Sequence, residues 1–310
     1  GFARIGLIAE GEGCGNGRLI GIAVKLSDAG IGDYWEDVDL YIRNHGSEMQ
    51  FVPEDIPHLR KLLAKNPNPP APPDVYALFN LELKHPWGIP PGVVADRAVG
   101  TDVGVMEASI GAFSIQYPSY KTGWALCCSP QGNMGLFYAW DAALRYADGV
   151  SRINLLLNRA SPWMDIESYI PYQGKVVLRN KTAREAFVRI PLYVNKSTVN
   201  CRIGNRIVRP KWFDRYLWLE SLKAGEVVTI EFPLEEWMER WTAPPNANYT
   251  SHLPGGTIYT CKFKGNTLIE LSPPLLPGTW LYQGRAEKCK AAKAPMKKVT
   301  RYVTNQGLRW

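Results

Sequence analysis

The periodicity of apolar residues changes once along this 310-residue chain, at Asp148-Gly149. Before that point they recur at three- and four-residue steps. After it they alternate. The first period buries one face of a helix and the second buries one face of a strand. A single switch, rather than repeated βα units, predicts an α+β multidomain chain with helices first and strands after.

In the first part, Leu19, Ile22, Ala23 and Leu26 share one helix face over Arg18 to Ser27. Gly30 and Gly32 interrupt the pattern, and Asp33 is placed to cap a second helix carrying Tyr34, Val38 and Tyr41 on one stripe. Together they read as an αα-hairpin. Residues 53 to 104 are rich in Pro and Gly, including Pro69-Pro70-Ala71-Pro72-Pro73, and predict an extended excursion without long regular elements. A third helix is expected from about Gln131 to Ala147, with Met134, Phe137, Tyr138, Ala142 and Tyr146 on its apolar side.

In the second part, strand-like runs cover Ile153 to Asn158, Lys175 to Arg179, Ala186 to Ile190, Val199 to Ile203, Tyr216 to Leu219 and Val227 to Phe232. Turn residues separate them at roughly regular intervals, the pattern of an antiparallel β-sandwich. Beyond Trp241 and Pro244-Pro245, two further runs, Thr257 to Phe263 and Thr267 to Leu271, read as a second, incomplete β unit. The expected domains are therefore 1–148, 149–243 and 244–310, the last ending in a basic tail.

Apolar residues make up 45% and charged residues 21%, enough to bury a sizeable core. No run approaches 18 apolar residues, so no membrane partner is expected. Between Arg285 and Arg301 seven basic residues face one acid, nearly the whole of the net +7. With no nucleic-acid-binding motif beside them, they read as a solvated segment, and no nucleic-acid partner is expected. Six scattered cysteines in so long a chain do not make a disulfide-stapled miniprotein. The opening Gly1-Phe2-Ala3-Arg4 lacks Met and a secretory pattern, so the chain is expected to be processed or to be part of a longer one.

Two short stretches carry the chemistry. Glu12-Gly13-Cys14 sits among glycines, and Cys127-Cys128 precedes Ser129-Pro130 and a helix. Three thiols and a carboxylate can make the four-ligand shell that zinc prefers. They can equally be buried, inert thiols. Pro130 suits a first helical turn, which puts Cys127 at the positive end of a helix dipole, where a thiolate nucleophile is favoured. The histidines His45, His58, His85 and His252 have no metal-type spacing, and no Ser-His-Asp set, Walker loop or dinucleotide-binding fingerprint is present.

The order Glu12-Gly13-Cys14, Gly32-Asp33-Tyr34 with Asp37, then Cys127-Cys128-Ser129-Pro130-Gln131-Gly132-Asn133 resembles glycoside hydrolase family 127, which includes bacterial β-L-arabinofuranosidases. Asn154-Leu155 with Ser161, the run Tyr169 to Val176, and Phe187-Val188-Arg189-Ile190-Pro191 extend the resemblance over most of residues 10 to 235, with the Pro-rich excursion as its main mismatch. The resemblance implies the C-terminal helices of an (α/α)6 barrel followed by antiparallel β-sandwich modules. It implies zinc held by Glu12, Cys14, Cys127 and Cys128, with Cys127 as the nucleophile of a retaining reaction on a glycan or oligosaccharide. The family's general acid/base lies upstream of the Glu-x-Cys motif, and Glu10 does not match it. A partner chain or further N-terminal segment is therefore expected to complete the barrel. The bacterial cytoplasm and periplasm both fit. The rival reading is a non-catalytic carbohydrate-binding or assembly subunit with a structural zinc.

Overall fold

The computed structural model describes residues 13–65, 104–113, 127–242, 256–274, 282–301 and 303. They fall into two compact units, one of residues 51–111 and the other comprising the rest. In the smaller unit the excursion holds a helix, α3 (Ile56–Lys65), where no long element was expected. Pro57 stands in its first turn, where backbone N–H groups have no carbonyl partner within the helix. Pro69 to Pro73 lie outside the described residues.

The larger unit begins with α1 (Gly13–Asp28) and α2 (Trp35–Tyr41), the expected hairpin. The N-cap position of α2 is Tyr34 rather than the expected Asp33; Asp33, one residue earlier, accepts the Trp35 N–H at 3.1 Å. A π-helical turn (Ile42–Gly46) follows α2. After a one-turn helix (Ser47–Met49), a later helix of this unit, α4, spans Cys128–Ala142 and ends five residues before the expected Ala147. Its last carbonyls, and that of Leu144 just after it, are taken by side chains from further along the chain. Arg159 donates to the oxygens of Trp140, Asp141 and Leu144, and Asn154 donates to that of Ala142. A buried cation at a helix C-terminus complements the dipole and stops the helix there.

Two five-stranded sheets follow. The first has the order β1 (Leu144–Ala147), β2 (Val150–Ile153), β5 (Glu185–Arg189), β9 (Tyr216–Leu219), β8 (Lys211–Phe213). The second has the order β3 (Met164–Ser168), β4 (Lys175–Asn180), β10 (Val227–Glu231), β6 (Asn200–Ile203), β7 (Arg206–Val208). Alternate residues of both sheets meet in one core, with Ile153, Val188 and Leu217 from the first and Ile166, Leu178 and Ile230 from the second. Pairing is antiparallel except between β2 and β5, which run parallel with Ile153 opposite Val188. The β1–β2 hairpin turns at Asp148-Gly149, both at positive φ, where the sequence changes period.

A third sheet, β11 (Glu236–Thr242), β12 (Ile258–Lys264) and β13 (Thr267–Ser272), packs elsewhere. Tyr259, Cys261, Phe263 and Leu268 share a core with Cys14, Cys128, Leu40 and Met49 of the helical region. A buried polar seam fixes this arrangement. Asn266 donates to Glu36 at 2.7 Å and to Asp39 at 2.9 Å. Asn44, on the π-helical turn, donates to the Asn266 carbonyl and accepts the Leu268 N–H. Glu36 also receives Arg189 at 2.8 Å, tying the same helix to β5. Leaving any of these groups unpartnered in the interior would cost about 1–3 kcal/mol, so the seam specifies one docking geometry.

Candidate metal centre

Cys14 is the second residue of α1, and Cys127-Cys128 open α4. The two helices run side by side and parallel. Cys14 meets Cys128, Gly17 meets Gln131 and Gly135, and Gly21 meets Tyr138. The approach depends on Gly17, where an added Cβ would fall 2.0 Å from the Gln131 carbonyl oxygen. Both N-termini therefore open on one point, and the positive ends of two dipoles converge there.

The three sulfurs lie within 4.8 Å of one another. Cys128 Sγ stands 3.7 Å from Cys14 Sγ and 3.8 Å from Cys127 Sγ. Two sulfurs bound tetrahedrally to one zinc at ~2.3 Å are separated by about 3.8 Å, so the donor set fits such an ion. The thiols are not joined as disulfides. Among the described residues, these cysteines are the group of three or more His, Cys, Asp or Glu whose ligand atoms come this close. Glu12, the fourth ligand expected from the sequence, lies outside the described residues.

Burial divides the three. Cys14 and Cys128 are inside, and Cys127 is exposed. Burial raises the Cys128 thiol above its ordinary pKa, while the backbone hydrogen bond from Cys14 pulls the other way. Held without a cation, that sulfur keeps its proton. A bound divalent ion reverses the balance. Away from the cluster, burial raises Cys201 to about 11 and Cys261 to about 12, and also raises Cys289. Those three are inert core thiols.

The surroundings were only partly foreseen. The third sheet, read from sequence as an appended unit, turns the β11 residues Trp237, Glu239 and Trp241 toward the same side as Cys261, which faces Glu239 across the strands. The alternation Trp-x-Glu-x-Trp was the signal for one shared face.

No protein-family model matches the sequence, and no curated protein matches it. Among solved structures, the chain is similar to a GH127 β-arabinofuranosidase at 15% identity and a TM-score of 0.37, over 51% of this chain and 29% of that one. It is similar to a GH127 β-L-arabinofuranosidase from Geobacillus stearothermophilus T6 at 14% and 0.32, over 56% and 27%. A structure described as a glycoside hydrolase aligns at 16% and 0.35, over 51% and 30%. The chain thus spans less than a third of each of these proteins.

Proposed function

We propose that this chain is part of a retaining glycoside hydrolase of the family 127 kind, with Cys127 as its nucleophile and Glu12, Cys14, Cys127 and Cys128 holding zinc. The observation that carries the reading is the division of the thiol cluster into two buried sulfurs and one exposed sulfur. The exposed sulfur is Cys127, the residue to which the motif resemblance assigns attack. In this reading α1 and α4 are C-terminal barrel helices. The two five-stranded sheets are the β-sandwich, which takes in β1 ahead of the expected start at 149, and the third sheet, which takes β11 from before the expected boundary at 244, forms the incomplete unit with the basic segment.

Cys127 Sγ attacks the anomeric carbon of a terminal furanoside, and the bond to the glycosidic oxygen breaks. The departing oxygen takes a proton, for which this chain has no assigned donor. Water then adds to the same carbon and gives up a proton to a base that, like the acid, is not assigned in this chain, while the carbon–sulfur bond breaks and the electron pair returns to sulfur. Zinc held by Glu12, Cys14, Cys127 and Cys128 would supply the positive charge that keeps the thiols ionised at neutral pH. The convergent helix N-termini act in the same direction, and the buried Cys14 and Cys128 keep the cluster in place.

An aryl leaving group departs as a weak base and needs little protonation, whereas a sugar leaving group needs about 10²–10⁴-fold of acid catalysis. The isolated chain is expected to turn over an aryl arabinofuranoside slowly and to leave natural oligosaccharide nearly untouched. Cys127→Ser is expected to remove the aryl activity. Unchanged aryl turnover in that variant overturns the reading. The second reading, a structural zinc in a carbohydrate-binding subunit, draws on the burial of Cys14 and Cys128. It predicts zinc binding with no cleavage of either substrate.

A further inference from the structure

We infer that Phe113 is a positioning residue of the thiol centre: it braces the first turn of α4, and so holds Cys127 and Cys128 in register with Cys14. The inference rests on the metal reading above but not on Cys127 acting as a nucleophile.

The chain leaves the larger unit after Gln50 and returns to it at Ala112. At that junction Gln50 and Phe113 pair as an isolated antiparallel bridge. Phe113 is fully buried. Its N–H donates to Ser129 Oγ at 3.2 Å, and Ser129 directly follows Cys128. Its ring lies on Gly132, where an added Cβ would stand 2.3 Å from the ring's Cγ. Gly132 is four residues beyond Cys128, so the two share a helix face one turn apart. Phe113 also belongs to the apolar cluster that holds Cys14, Cys128, Leu40 and Met49.

The first turn of a helix is its loosest part, because its N–H groups have no carbonyl partner within the helix. In α4 that turn carries Cys128, with Cys127 at the N-cap, and these are two of the three clustered sulfurs. Packing from α1 restrains it at one residue of the turn, where Gly17 meets the Gln131 carbonyl. Phe113 adds restraints at Ser129 and Gly132, on either side of that residue. Metal–ligand distances hold to within about 0.2 Å, so a small shift of this turn changes how the sulfurs share an ion. Removing the ring leaves a void beside Gly132 into which the turn can relax.

Two measurements test the brace, one without metal and one with it. In the metal-free chain, hydrogen exchange is followed at Gln131 to Gly135, whose N–H groups bond back toward the first turn, as Gln131 does to the Cys127 carbonyl. Phe113→Ala should speed that exchange about tenfold and leave β4 unchanged. In the loaded chain, competition with a chromogenic chelator should show zinc held about tenfold more weakly by Phe113→Ala, the usual weight of a residue that orients a metal ligand. The visible absorption of cobalt bound in place of zinc should shift as well. Ser129→Ala, which removes only the hydrogen bond, should weaken zinc several-fold. Phe113→Leu refills most of the space and should restore zinc affinity to within about threefold, which guards against misfolding of the Ala variant. Leu217→Ala, a truncation in the sandwich core, should lower the melting temperature yet leave zinc affinity and the cobalt spectrum unchanged. Unchanged exchange in Phe113→Ala, zinc affinity within about twofold of the unsubstituted chain, or an equal cobalt shift in Leu217→Ala overturns the inference. A chain that takes up neither zinc nor cobalt overturns the metal reading instead, and the exchange measurement alone then decides whether Phe113 braces the thiols.

Discussion

At the scale of single residues, the chain separates two kinds of cysteine by their surroundings. Cys14, Cys127 and Cys128 meet at helix N-termini, while Cys201 and Cys261 sit in apolar clusters and Cys289 is buried apart from all of them. Elemental analysis should find about one zinc per chain, and Cys14→Ala should lower that number. Zinc content indifferent to Cys14 refutes the centre. After chelation, brief alkylation read by mass spectrometry should mark Cys127 first and leave Cys201 unmodified. Cys201 also sets a pH dependence. Its folded pKa of about 11 exceeds the ordinary 9.0, so the native state holds that proton more tightly. Its stabilising contribution is complete below about pH 9 and is lost as the pH rises through about 11. Cys201→Ala should therefore show a shallower loss of stability over that alkaline range in denaturant titrations.

At the scale of elements, Gly17 and Arg159 govern opposite ends of the same helix pair. Gly17→Ala forces a Cβ into the Gln131 carbonyl, so α1 and α4 must separate where their thiols meet. Overpacking of this kind costs about 1–3 kcal/mol, and the zinc content should fall with it. Gly15→Ala meets nothing within 4 Å and is the control, with zinc retained. Arg159→Met leaves Asp141 with Arg145 alone and frees the helix-end carbonyls of Trp140 and Asp141 and the β1 carbonyl of Leu144, an expected loss of about 1–3 kcal/mol in urea unfolding. What the sequence made legible also sorts by element. Interior strands β4, β5, β6, β9, β10 and β12 came within a residue or two of their expected bounds, because burial on both faces or strict alternation marks them. Interior β2 lies at Val150–Ile153, ahead of the run expected from Ile153 to Asn158, and the edge strand β13 was found; the strands that escaped altogether, β1, β3, β7, β8 and β11, are sheet edges. An edge strand has one neighbour and much exposed surface, as the exposed residues of β7 and β8 show, so its composition barely differs from a loop's. The parallel β2–β5 pair was hidden for a related reason, since periodicity records which face is buried and not the direction of the partner.

At the scale of the whole molecule, the thiol cluster was legible because its residues announce their chemistry locally. The packing of the third sheet against it was not. That packing depends on Asn44, Asn266, Glu36 and Asp39, whose sequence separations reach 230 residues. Nothing local to an asparagine distinguishes a loop residue from the keystone of a buried seam. Carboxylates of the sheets that lie outside the third sheet's inner face, Glu231 and Glu235, should matter little to catalysis. Substituting either should change aryl-glycoside turnover only a few-fold. A loss beyond about a hundredfold, roughly 2.7 kcal/mol of barrier, with folding intact would place a catalytic group where none is expected.

Arg145 bonds both Asp28, at the end of α1, and Asp141, near the end of α4, at 2.8 and 2.5 Å. The helix pair is thus clasped by charge at one extremity and by sulfur at the other. On the proposed reading, losing a metal held by these thiols releases a single jaw. The hinge stays shut, the thiols remain neighbours, and recapture of an ion becomes an encounter with a waiting cage rather than a refolding event. Chelated protein should therefore keep its far-ultraviolet circular dichroism. Faster amide exchange should appear in the first turns of α1 and α4 and fade toward Asp28 and Asp141. Uniform loosening along both helices would show that the clasp at Arg145 does not hold on its own.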